Sequence, residues 1–263
     1  MESGEHPDQA RAQGFGAVAH MYDRARPTYP PALVARLLSD APVVDVVDVG
    51  CGTGKAARLF IGGGRRVLGI EPDPRMAAVA AAHGIDVEVT EFESWDDRGR
   101  RFDLLISGQA WHWVDPVKGA EKAAKVLRPG GRFAAFWNKV HHTDQVRSIL
   151  EEVYSRHAPE MLSSSVALGV VGGTVDPDRD PAAAALAGIP FGQLVGGERE
   201  SFPWTLGYTP HQWVEHVATH SDHRLLDPLI LEALLRDLES ALQSLGPKFL
   251  VSFYTDLLSA ERE

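Results

Sequence analysis

Val46-Val47-Asp48-Val49-Gly50-Cys51-Gly52-Thr53-Gly54-Lys55 reads as a buried strand that turns through glycines and enters a helix. Val43, Val44, Val46, Val47 and Val49 are β-branched and are interrupted only by Asp45 and Asp48, which suits a strand covered on both faces. Gly50, Gly52 and Gly54 then place three residues without a Cβ in a span of five. Such a turn reaches positive φ and lets a ligand come up to the main chain. Lys55 to Phe60 has helix-forming composition, so the unpaired N–H groups at its start would face that ligand.

The ligand class follows from what the turn lacks. In the dinucleotide pattern G-x-G-x-x-G counted from Gly50, the last position is Lys55, where close helix–strand packing needs Gly or Ala. The phosphate-binding pattern G-x-x-x-x-G-K-[ST] fails as well, because Ala56 follows Lys55. What remains, Asp48 to Gly54, resembles the first motif of the class I S-adenosylmethionine-dependent methyltransferases. The resemblance implies a loop that holds the methionine end of the cofactor at Gly50, Cys51, Gly52 and Gly54, with Asp48 supporting it. It also implies S-adenosylhomocysteine as the product form. A glycine turn that only closes a βα unit is the competing reading.

The next strand, Arg66 to Ile70, ends at Glu71, and Pro72-Asp73-Pro74 opens a helix over Arg75 to His83. Asp73 reads as the helix cap. Glu71 ends a parallel strand, where a carboxylate can accept both ribose hydroxyls of an adenosine, and the resemblance assigns it that role. A solvated strand-end acid is the alternative. Ile85 to Thr90 alternates as a third strand, followed by Glu91-Phe92-Glu93. By position in the family, Phe92 faces the adenine and Glu93 meets its amino group, with Glu91 able to replace Glu93.

Phe102 to Ser107 reads as strand four and runs into Gly108-Gln109-Ala110-Trp111-His112-Trp113-Val114-Asp115-Pro116. This segment is similar to a signature of small-molecule methyltransferases related to the trans-aconitate and biotin-pathway enzymes. It implies cofactor contacts from Gln109 and Ala110, with Trp111 and Trp113 facing the acceptor. Asp115-Pro116 caps a helix over Val117 to Leu127; Leu127 to Gly131 is a turn, also similar to a late motif of the superfamily, and Arg132 to Trp137 is strand five. Methyl transfer needs in-line alignment and, for a hydroxyl acceptor, removal of a proton. His112 is the leading base because imidazole titrates near neutrality, with His141 and His142 as further candidates. A histidine that only bridges strand and helix is the alternative for His112. Asn138, Lys139, His141, His142 and Asp144 follow strand five and could also border the acceptor, with Asn138 assigned to substrate binding. His141, His142 and Asp144, with Asp115, are the one divalent-metal set to consider, although adjacent histidines diverge on any regular element. Cys51 reads as a small filler rather than a nucleophile.

The N-terminal segment contains Phe15, Val18, Ala19 and Tyr22 at helical spacing, then a proline-rich connector to Pro31. It resembles the segment that closes over the cofactor in many methyltransferases, with Tyr22 toward the cofactor and Tyr29 toward the acceptor. A loop anchored by its two tyrosines is the other reading. Pro31 to Leu38 and Val146 to Tyr154 read as helices, and Pro159 to Pro190 as a mobile insertion. Gln193 to Val195 and Ser201 to Leu206 read as short strands. Helices follow from Pro210 to His220 and from Pro228 to Leu245, then a last strand over Lys248 to Leu257 with a short tail. Trp204, Trp213 and His216 are acceptor-pocket candidates, against a core role for aromatics on a helical face.

The expected architecture is α/β: a Rossmann-like, doubly wound, seven-stranded and mostly parallel sheet, its last strand antiparallel, with a helical lid. Residues 1–30 form a lid segment and 31–144 the cofactor-binding core. Residues 145–190 form the helix and insertion, and 191–263 complete the core, with the lid helices at 209–246. With 263 residues the chain can bury a sizeable core, and a single cysteine excludes an internal disulfide framework. A net charge of −10 and the lack of a basic stripe argue against nucleic acid, as does the absence of an Asn/Asp-Pro-Pro-Tyr/Phe motif after strand four. No apolar run reaches the roughly 18 residues of a membrane span, and the charged N-terminus is not a signal peptide. The expected protein is cytoplasmic and acts on a small-molecule acceptor such as a sugar, lipid or organic acid. Cofactor binding without catalysis, a nicotinamide oxidoreductase and a macromolecule methyltransferase are the other classes. Oligomeric state is open.

Overall fold

The computed structural model describes residues 19–39, 42–162, 166–169 and 194–263. The expectations for Phe15, Val18, Gln193 and most of the 159–190 insertion lie outside them. The sheet is built from β1 (Asp45–Val49), β2 (Arg66–Glu71), β3 (Asp86–Val89), β4 (Phe102–Gly108), β5 (Leu127–His141), β6 (Leu194–Tyr208) and β7 (Phe249–Arg262). Its order is β3-β2-β1-β4-β5-β7-β6. The first five strands pair in parallel, and β7 enters antiparallel between β5 and β6. The strand order reverses beside β1, so its carboxyl end, where the glycines lie, borders the crevice at which open α/β sheets bind ligands.

The helices are α1 (Ala19–Ala25), α2 (Pro31–Leu37), α3 (Pro74–Ala82), α4 (Pro116–Val126), α5 (Asp144–His157), α6 (Pro210–Ala218) and α7 (Pro228–Leu242). One face of the sheet packs Val47, Leu105, Phe133 and Ala135 against Ala120, Ala123 and Ala124 of α4. The other packs Val46, Leu104, Ala134 and Phe136 against Leu33 and Leu37 of α2. Each large apolar side chain so buried contributes roughly 1.5–3 kcal/mol. A separate apolar cluster joins α5, α6 and α7 to β7 through Leu150, Tyr154, Trp213, Val217, Leu234, Leu238, Val251 and Phe253.

Four stretches differ from the sequence reading. The stretch after the glycines makes turns and a 3-10 helix over Ala57–Phe60, not a regular helix, and Ile61 leaves it extended. Leu127 to Gly131 is not a free turn but a bulge inside β5. Phe102 pairs with Leu127 and Leu104 with Arg132, so four residues stand opposite Asp103 alone. The bulge carries Arg128 to the acids at the start of β1 and β4, at 2.7 Å from Asp45 and 2.5 Å from Asp103. Ser201 to Leu206 is the middle of the 15-residue β6, and the tail after Leu257 continues β7 through Arg262, because the two pair along nearly their whole length.

Candidate functional site

The glycine loop is held from below by two acids. Gly50, Gly52 and Gly54 have φ of +66°, +55° and +81°. A Cβ on Gly50 would lie 2.5 Å from the Cβ of Ala110, and one on Gly54 would press on Ile85 and Ala80 at 3.2 and 3.3 Å. Gly52 N donates to Glu71 Oε2 at 2.8 Å and Asp73 N to Glu71 Oε1 at 2.9 Å. Ala57 N donates to Asp48 Oδ2 at 3.0 Å, while the buried Asp48 Oδ1 has no hydrogen-bond partner. Burial raises the pKa of Asp48 well above the usual carboxylate range, and Glu71 adds to it. Burial also raises Glu71. Acids of this kind favour a ligand that presents N–H or O–H donors and disfavour a phosphate, the choice expected for a nucleoside with an amino-acid tail. The bare main chain of the loop and the unsatisfied Asp48 oxygen fit that ligand.

Cys51 is buried with its Sγ against Gly69, where a Cβ would come within 2.6 Å. Burial pushes its thiol well up, so it fills space and is not a thiolate. Gln109 has φ +60°, and its N donates to Phe136 O at 2.9 Å. This unusual backbone bends the chain after β4 so that Ala110 meets Gly50.

The opposite wall comes from α1 and α6. Three charged residues in sequence tie α1 across the crevice. Asp23 accepts from Arg58 at 2.7 Å and contacts His83 at 2.9 Å on the core side. Arg24 pairs with Glu215 on α6. Arg26 Nη2 donates to Thr219 O at 3.1 Å, and its guanidinium lies 5.2 Å from the ring centre of Tyr22. Arg26 Nε is buried without a hydrogen-bond partner, a condition that costs about 1–3 kcal/mol. Thr209 caps α6 in a reciprocal box with Gln212, and His216 on the helix and His220 just past its end have their Nε2 atoms 3.2 Å apart. Burial, then the charge of Arg26, holds both imidazoles well below their usual pKa, so both are neutral near pH 7.

Between the walls lies a cavity of about 90 Å³, lined among others by Tyr22, Arg26, Tyr29, Gly50, Gly52 and His220. Ordinary ligand pockets run to ~300–1,000 Å³, so this cavity is smaller than the ordinary range. Of the residues expected from sequence, Tyr22, Tyr29, Gly50, Cys51, Gly52, Gln109 and Asn138 border this cavity together with His216. Asn138 Nδ2 donates to Thr28 O at 2.9 Å, and its Oδ1 accepts from Thr255 at 2.6 Å.

Others lie elsewhere. His112 is exposed, its Nδ1 accepting from Trp137 Nε1 at 3.1 Å. Trp137 belongs to the α4 face of the sheet, whereas Asn138, its neighbour along the strand, faces the cavity. Trp111 packs edge-on to Phe133 at 4.6 Å in the core, Trp113 sits against His112, and Phe92 is buried against Trp95 and Trp111. Glu93 Oε1 accepts from Asp115 N at 2.6 Å. His141 is exposed beside Tyr254; His142 is buried, bonded to Ala167 O at 2.9 Å and edge-on to Trp213. Among the described residues no group of three His, Cys, Asp or Glu is arranged to hold a metal. Trp204 donates to Thr255 at 2.9 Å and stacks on Phe253, and Trp213 is fully buried. Arg26, Lys55 and His220 line the cavity as well. Their sequence signals are faint: an arginine before a proline in an aromatic segment, a lysine after the glycines, and two histidines four apart.

A profile of the methyltransferase domain matches residues 47–135, the segment that carries the glycine loop and strands β1 to β5. An uncharacterized methyltransferase of Mycobacterium tuberculosis is 32% identical over 212 residues, covering 79% of this chain and 76% of that one. The chain belongs to the class I S-adenosylmethionine-dependent methyltransferases. Over a shorter stretch it is 34% identical to a ubiquinone biosynthesis O-methyltransferase of a Methylobacterium species, across 34% of this chain and 39% of that protein. Its fold is similar to that of a protein from Anaeromyxobacter dehalogenans provisionally described as a type II methyltransferase. That likeness has a TM-score of 0.61 at 19% identity, covering 90% of this chain and 97% of the other. No helix among the described residues is long and apolar enough to cross a membrane.

Proposed function

We propose that this methyltransferase modifies an oxygen of a small-molecule acceptor held between the glycine loop and α6. Bound over the loop, S-adenosylmethionine supplies an electrophilic methyl group on a sulfonium. The bare main chain of the loop lets the methionine end approach, Asp48 supports the loop through Ala57 N, and the carboxyl group of Glu71 orients the nucleoside end. Tyr22, Tyr29 and Asn138 narrow the passage and exclude water, which sharpens alignment. For a hydroxyl acceptor, His216 and His220 replace His112 as the imidazoles within reach, because they border the cavity and His112 does not, and burial makes them weak bases. The meeting of Gly50, Gly52 and Gln109 with His216 and His220 around one cavity is the observation that carries the reading. The short ubiquinone-pathway likeness supports a small acceptor and an oxygen target.

Calorimetric titration of S-adenosylmethionine, S-adenosylhomocysteine and NADH into the purified protein, followed by labelled-methyl transfer to hydroxyl and carboxylate acceptors, tests it. Binding of the first two and label on an oxygen are expected. Binding with no turnover on any acceptor would mark a cofactor-binding protein instead, and label on nitrogen or carbon would overturn the oxygen assignment.

A further inference from the structure

We propose that Thr255 is a positioning residue for the cleft: with Trp204 it locks the Asn138 amide so that Asn138 clamps the connector between α1 and α2 over the cavity. The role rests on the methyltransferase reading and extends it to β6 and β7. Asn138 on β5 stands directly opposite Thr255 on β7, and Trp204 on β6 stands opposite Phe253, two residues from Thr255. Residues two apart along a strand share a face of the sheet, so the three side chains meet on one side of it. Phe136 and Val140 flank Asn138 on that face, and Phe253 and Leu257 flank Thr255; all four are buried. An amide among such neighbours is costly unless both its ends are bonded. Valine has nearly the shape of threonine, so what Thr255 adds at this place is its hydroxyl.

The bonds run in one direction. An indole N–H can only donate. Trp204 Nε1 therefore occupies a lone pair of Thr255 Oγ1 at 2.9 Å, and the hydroxyl hydrogen passes on to Asn138 Oδ1 at 2.6 Å. The amide nitrogen is thereby turned to Thr28 O, 2.9 Å away. A flipped amide would set its oxygen against that carbonyl oxygen, two acceptors with no hydrogen between them. Bonds in series polarise and strengthen one another. Asn138 O also accepts from Gln109 Nε2 at 3.2 Å. One residue thus ties the bend after β4, where Ala110 meets Gly50, to the connector that sets Pro27 and Tyr29 at the cavity.

Asn138 is the only asparagine in the chain, so isotope labelling of asparagine gives a single side-chain amide signal in a nuclear magnetic resonance spectrum. Solvent exchange of that amide and affinity for S-adenosylhomocysteine are measured for wild-type protein, Thr255→Val and Thr255→Ser. Faster exchange and roughly tenfold weaker binding in Thr255→Val, both restored in Thr255→Ser, are expected. Wild-type exchange and affinity in Thr255→Val overturn the proposal. Faster exchange with unchanged affinity overturns it too, because the lock then serves the sheet and not the cleft. Equal losses in the Val and Ser variants do the same, since the hydroxyl is then not the group that matters. Each of these results leaves the methyltransferase reading standing as long as wild-type protein binds S-adenosylhomocysteine; if it does not, both fall. A thermal melt reports folding. Trp204→Phe, which keeps a ring on Phe253 and loses the donor, carries the same comparison with a smaller loss if Thr255→Val does not fold.

Discussion

The two walls of the cleft are built by different means. The core wall is main chain: three glycines at positive φ, a bent Gln109 and two buried acids that grip N–H groups close by in the fold. The opposite wall is side chain: Arg24 meets Glu215 across 191 residues of sequence and Arg26 meets Thr219 across 193. A wall of backbone tolerates almost no added atom. A wall of side chains tolerates substitution but depends on charge state. Variants on each side therefore fail differently.

The largest effect is expected on the core wall. Gly50→Ala forces a Cβ into positive-φ backbone and to 2.5 Å from Ala110. We expect a loss of roughly 2–6 kcal/mol of stability and no detectable S-adenosylhomocysteine binding, read by denaturant unfolding and calorimetry. A stable, binding-competent Gly50→Ala protein would show that the loop is not the rigid partner.

The lid should loosen in mild acid before the core does. Burial lowers the pKa of His142 from 6.5 to about 4. The unfolded chain takes up its proton near 6.5, while the folded chain resists until about pH 4. Stability from this residue is therefore complete above pH 6.5 and declines as the pH falls toward 4, by roughly 3 kcal/mol. His216 and His220 are depressed too and add to the same trend. In the core, Lys122 and Lys125 hold the Asp97 carboxyl below its usual range, so its contribution is present above the ordinary carboxylate pKa and fades only in stronger acid. Trp213 fluorescence between pH 7 and 4 should change before the full unfolding signal, and His142→Phe should flatten the trend. Simultaneous loss of both signals would join the two walls into one cooperative unit.

Glu71→Ala removes the acceptor for Gly52 N and Asp73 N. S-adenosylhomocysteine affinity should fall at least about tenfold, measured by calorimetry. Arg24→Ala should do least. Its partner is Glu215 on the lid, but the arginine is 60% exposed, and such pairs are weak and screened by salt. Less than about a twofold change in affinity is expected, vanishing in high salt.

The same contrast decides what could be read before folding. Strand, glycines and caps are local. Asp73 accepts from Arg75 N at 2.8 Å, Asp115 from Val117 and Lys118, and Thr209 from Gln212, as their sequences predict. The strap formed by Asp23, Arg24 and Arg26 is non-local, and nothing in its composition names Arg58, Glu215 or Thr219. For His112 the neighbours are legible and the direction is not: it bonds Trp137 on the α4 side of the sheet, one residue from Asn138 on the other side. The bulge in β5 is invisible until Asp45 and Asp103 are seen waiting for Arg128.

The place of β7 sets an order of events during synthesis. Among the described residues β6 pairs with β7 alone, and β7 also covers the edge of β5. Until residues 249–262 emerge from the ribosome, the 15-residue β6 has no partner and β5 ends the sheet with an open ladder. Both are templates for pairing with another chain. The parallel half can assemble early, whereas the antiparallel half must wait for one late strand, and that interval is when the nascent chain is most in need of a chaperone.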